Sequence, residues 1–143
     1  MTVARVIAAT AMFAGLGVGT ASTAWADTTM SGHYIKTSTN SEGKVTTADW
    51  YFTPCGDGCA SVSFGPGRGQ GQAQLVNGQW TLDLQNDTAH CPDGSSLPGA
   101  MNDHFTWDPN TLAGTSVATY NVPACGHPAG FQYTNNVQLR QAP

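Results

Sequence analysis

Few side chains in this 143-residue chain have the type and spacing to do chemistry. Three histidines, His90, His104 and His127, form the first group. His90 precedes Cys91 and His127 lies two residues beyond Cys125, with Asp93 and Asp103 nearby in sequence. A Cys91–Cys125 bridge would draw the imidazoles together, and neutral imidazole is the commonest ligand for zinc or copper. Arg68 sits at the tip of Gly65-Pro66-Gly67-Arg68-Gly69-Gln70-Gly71, where it is placed to meet an anionic group. That run lacks the Lys-Ser/Thr pair of a phosphate-binding loop and joins two extended segments. It therefore reads as a flexible connection, and no cofactor is expected. No G-x-S-x-G elbow and no triad spacing is present. The acids Glu42, Asp57, Asp87, Asp93, Asp103 and Asp108 fall in turn-like sequence, which accounts for them without catalysis. No catalytic residue is assigned.

The cysteines are more informative. Cys55, Cys59, Cys91 and Cys125 make an even count. In an oxidising compartment they read as two disulfides. Cys55-Gly56-Asp57-Gly58-Cys59 carries two glycines that let the backbone turn tightly, so Cys55 pairs with Cys59 and Cys91 with Cys125. The longer bridge contributes about 3–4 kcal/mol by loop entropy. A four-thiolate zinc site lacks the paired C-x₂-C spacing.

These groups need elements to hold them, and the pattern is all-β. Period-two runs separated by turn residues replace any helical periodicity after Ala26. Strands are expected at 33–38, 45–53, 60–64, around Ala73 and Leu75, at 80–84, around Phe105 and Trp107, at 112–120 and at 131–139. Asn77-Gly78 supplies a type I′ turn between the fourth and fifth. Long loops are expected at 86–102 and 121–130. Eight strands in sequence order make an antiparallel meander the simplest topology, closing into a barrel, with a two-sheet sandwich as the alternative. In a meander Cys91 and Cys125 fall at the same end, which agrees with their pairing.

Composition bounds the rest. Charged residues make up 10% of the chain, with 5 Lys+Arg against 9 Asp+Glu, so a nucleic-acid partner is not expected. The length allows a single domain. Arg5, an uncharged stretch over 6–26 and Ala24-Trp25-Ala26 make residues 1–26 a secretory signal peptide, leaving a secreted domain over 27–143. No second apolar run follows, so no membrane association is expected after cleavage, and the domain should be a monomer.

The segments Trp50-Tyr51-Phe52-Thr53-Pro54-Cys55-Gly56-Asp57-Gly58-Cys59-Ala60, Asn77-Gly78-Gln79-Trp80 and Trp107-Asp108-Pro109-Asn110-Thr111-Leu112 resemble small secreted proteins of actinobacteria, mycobacteria above all. The W-x-x-T-P-C-G-x-G-C block carries most of that resemblance. It implies an exported β protein and contributes no functional residue. Trp107 and the other aromatics read first as core and second as the lining of a ligand cavity. The leading expectation is a secreted, non-catalytic binding protein. Its contact surface is the long-loop end, with Arg68, His90, His104, His127 and Trp107 as candidate contacts to a small ligand or extracellular partner. A structural or host-facing protein without a pocket is the second reading, and a hydrolase or metal-dependent enzyme the third.

Overall fold

The computed structural model describes residues 29–143; the signal peptide read over residues 1–26 lies outside them. Eight strands follow in chain order: β1 (Gly32–Thr39), β2 (Val45–Gly56), β3 (Cys59–Ser63), β4 (Gln70–Val76), β5 (Gln79–His90), β6 (Ser96–Trp107), β7 (Ala113–Tyr120) and β8 (Gln132–Gln141). They form a closed antiparallel meander barrel. Closure comes from β1 pairing with β8, from Tyr34 opposite Gln141 to Thr39 opposite Asn136, so the molecule is not a sandwich. Local sequence dictates this readily. In β3 the apolar Ala60 and Val62 are buried while Ser61 between them is exposed. Asn77 and Gly78 both take positive φ, 49° and 78°, as a type I′ turn requires. The β6–β7 turn is fixed by the Asp108 carboxylate, which accepts hydrogen bonds from the backbone N–H of Asn110 and Thr111 at 2.7 and 2.8 Å.

One element differs from expectation. Most of the loop anticipated over 86–102 is strand, because β5 continues to His90 and β6 begins at Ser96. Register shifts between Leu84 and Asp87 and between Asp87 and Ala89 change which residues face inward. The bulged segment therefore shows no clean alternation in sequence. The true connection is short, closed by Cys91 N–H to Ser95 O at 2.8 Å.

The connections β1–β2, β3–β4, β5–β6 and β7–β8 lie at one end of the barrel, called here the loop end. Both disulfides form as read: Cys55–Cys59 at the β2–β3 tip, and Cys91–Cys125 across two loop-end connections 34 residues apart. The half of the interior away from the loop end is filled. Trp80 and Trp107 stack with ring centroids 6.3 Å apart, and Phe52, Val62, Leu82 and Leu139 pack with them. Met30 closes that end, its sulfur accepting a hydrogen bond from Trp107 Nε1 at 3.3 Å. Gly114 is required there. A Cβ on it would collide with the Thr106 carbonyl oxygen and lie 2.6 Å from Trp107 Cα, so only glycine lets β7 approach β6. A second cluster, Ala89, Ala100, Met101, Ala118, Tyr120 and Ala124, packs near the Cys91–Cys125 staple.

Candidate functional site

Toward the loop end the barrel holds a cavity of about 750 Å³. Each strand contributes what its inward alternation dictates. Tyr34, Lys36 and Ser38 share the inward face of β1, and Lys36 stands opposite Ala48 on β2 and Leu139 on β8. Trp50 on β2, Phe64 after β3, and Phe105 on β6 supply aromatic walls. Leu84 and Asp87 come from β5 and Asp103 from β6, while residues 67–69 of the β3–β4 loop and Gln70 at the start of β4 form part of the wall.

Two opposite charges are set into these walls. The Lys36 ammonium lies over the Trp50 ring at 5.4 Å and the Phe105 ring at 5.3 Å, a double cation–π contact. Burial pushes the Lys36 pKa below its usual value, opposed by the nearby charges of Asp103 and Asp87. Asp103 is only 8% exposed. Burial, reinforced by the Asp87 charge and opposed by Lys36, raises its carboxyl to about 6. The two groups feel each other without forming an ion pair. The ion pairs within 4.0 Å among the described residues are His33–Asp49 and His104–Asp83, both outside this set. Tyr133 is pushed up to about 12 by burial and by the Asp103 charge.

The residues expected from sequence distribute unevenly. Arg68 and His90 line the cavity, His90 sharing a 3.1 Å hydrogen bond between its Nδ1 and Ser96 Oγ. His104 does not join them. Strand alternation points its inward neighbours, Asp103 and Phe105, into the barrel and sends His104 outside, where Nδ1 meets Asp83 at 2.6 Å. His127 is held elsewhere, stacked on Phe131 at 3.8 Å between ring centroids. The three-imidazole site is therefore not formed. No group of three His, Cys, Asp or Glu among the described residues is arranged to hold a metal ion. Trp107 is 1% exposed and belongs to the filled half, away from any contact surface.

Lys36, Asp87 and Asp103 were not singled out as ligand contacts by sequence. Sequence reads Asp103 and Asp87 as turn acids, yet both face inward: Asp103 keeps the regular alternation of Phe105 and Trp107 along β6, and Asp87 is brought in by the bulge that follows Leu84 on β5. Lys36 is hidden because β1 also offers an apolar Ile35 on the opposite face, so its alternation does not declare which side is in. A lysine flanked at two-residue spacing by Tyr34 and Ser38 is the signal that was available.

No family model matches the chain, and neither the curated proteins nor the solved structures contain a match. Two disulfides and the absence of any free cysteine point to an oxidising compartment.

Proposed function

We propose that this protein is an exported, monomeric binding barrel that takes a small ring-bearing molecule through its loop end. The observation that carries this reading is the half-empty interior. A barrel selected for stability alone would fill its upper half with aliphatic side chains, because buried charges without direct partners are costly. Instead the sequence places an ammonium and a carboxyl on the walls of a cavity of about 750 Å³, a volume typical of small-ligand sites. Trp50, Phe64 and Phe105 offer faces for a ring, Lys36 and Arg68 donate hydrogen bonds, and Asp87 and Asp103 accept them. The ligand this favours is a flat or cyclic molecule bearing both donors and acceptors. Export is supported by the two disulfides and by the resemblance to exported actinobacterial proteins. A closed barrel has no unpaired strand edge, which supports a monomer.

Native mass spectrometry of protein recovered from its own culture medium tests the reading. The expected species is a monomer beginning at Asp27, with two disulfides and a bound small molecule that collisional activation removes. Bare polypeptide, together with no change in tryptophan emission when small cyclic compounds are titrated in, overturns it.

A further inference from the structure

We infer that Lys36 can hold a carbonyl-bearing ligand covalently, as a reversible imine inside the cavity. The inference rests on the proposed ligand site and names a substrate class for it, aromatic or other cyclic aldehydes. Three features of the cavity meet the needs of that chemistry. The first is an amine that faces the cavity and is not held by a carboxylate within 4.0 Å. Its burial also raises the fraction present as free, nucleophilic amine. The second is a proton carrier in the same cavity: Asp103, whose carboxyl titrates at about 6, is available in both protonation states near neutrality. The third is stabilisation of the product. The Trp50 and Phe105 faces that now hold an ammonium at 5.4 and 5.3 Å would hold an iminium equally, since both are cations on the same nitrogen.

The step balances without any oxidant or reductant. The ammonium passes one proton through a bridging water to the Asp103 carboxylate, which lies beyond direct contact, and the freed lone pair forms a bond to the carbonyl carbon. The carbonyl π electrons pass to oxygen, which takes the proton leaving nitrogen, giving a carbinolamine. Asp103 then returns its proton to that hydroxyl, the C–O bond breaks, and one water leaves as the C=N⁺ bond forms. Hydrolysis is the same path in reverse.

Lys36 and Lys44 are the chain's lysines, and Lys44 is exposed in the β1–β2 connection, so the molecule carries its own control. The intact protein is incubated near neutral pH with 2-naphthaldehyde and sodium cyanoborohydride, and labelling at each lysine is followed by peptide mass mapping. The expected result is that Lys36 is labelled several-fold faster than Lys44, and that Asp103→Asn slows Lys36 while leaving the Lys44 rate unchanged. Labelling of Lys36 no faster than Lys44 overturns the inference. A parallel titration with 2-naphthylmethanol, which has no carbonyl, separates the two levels. If the alcohol perturbs Trp50 and the aldehyde fails to label Lys36, the imine is wrong and the ligand site stands. If neither acts, both fall.

Discussion

The two halves of this barrel are built from the same strands and do different work. In the half away from the loop end, β2, β5, β6 and β8 meet through Phe52, Trp80, Trp107 and Leu139, and Met30 closes the end. In the loop-end half the inward positions of β1, β5 and β6 pass to Lys36, Asp87 and Asp103, and the space between them is left open. Moving along a single strand makes the contrast plain. On β6, Trp107 and Phe105 give way at the next inward position to a carboxyl. Aromatic packing holds the fold at one end, so the other end is free to carry groups that packing alone would disfavour.

The largest expected effect lies in the filled half. Trp107→Ala should cost about 3–5 kcal/mol in urea unfolding, whereas Phe64→Ala, on the half-buried cavity wall, should cost about 1–2 kcal/mol. Equal costs would mean the halves do not differ. The disulfides sharpen the comparison next. Replacing both Cys91 and Cys125 by Ser should remove about 4 kcal/mol, and replacing Cys55 and Cys59 about 2 kcal/mol, because the first closes a loop of 34 residues and the second a loop of 4. Unfolding midpoints of the two double variants at constant m-value decide this.

The open half should also set the pH dependence. Asp103 binds its proton more tightly folded, at about 6 against 3.8, so its contribution to stability is complete below pH 3.8 and lost as pH rises through 6. That loss amounts to about 3 kcal/mol. Asp103→Asn should flatten the stability profile over this window; an unchanged slope would show that the carboxyl does not titrate there. Asp93, held low by hydrogen bonds from Ser95, and Asp108, held low by those from Thr111 and Asn110, act in the opposite sense. Their stabilisation is lost as pH falls below the usual carboxylate range. The smallest effect belongs to the outer surface. His104→Ala breaks an exposed pair with Asp83 and should cost less than about 1 kcal/mol, with no change in calorimetric zinc titration.

Much of the architecture was legible in the chain. Alternation in β3, the Asn77-Gly78 turn and the cysteine placement each report local geometry, and local geometry is what sequence spacing encodes. The cavity was harder to read. Asp87 is turned inward by the bulge in β5, which shifts the inward phase without altering residue type, whereas Asp103 keeps the inward phase of Phe105 and Trp107 and is concealed by its own polarity. The histidine cluster failed for a related reason. Reading 86–102 as a loop put His104 near its rim, whereas the strand assigns it to the outer face opposite Asp83. Arg68 and His90 were found because they sit beside true turns, where sequence position and spatial position agree.

The difference between the halves can be read in one spectrum. The barrel's tryptophans report from both: Trp50 from the cavity wall, Trp80 and Trp107 from the filled half. Titrating 2-naphthylmethanol into ¹⁵N-labelled protein follows all of their indole N–H signals at once. A saturable shift of the Trp50 signal with Trp80 and Trp107 fixed is the predicted result. No shift at Trp50, or equal movement of all the indoles, would contradict a ligand site confined to the open half.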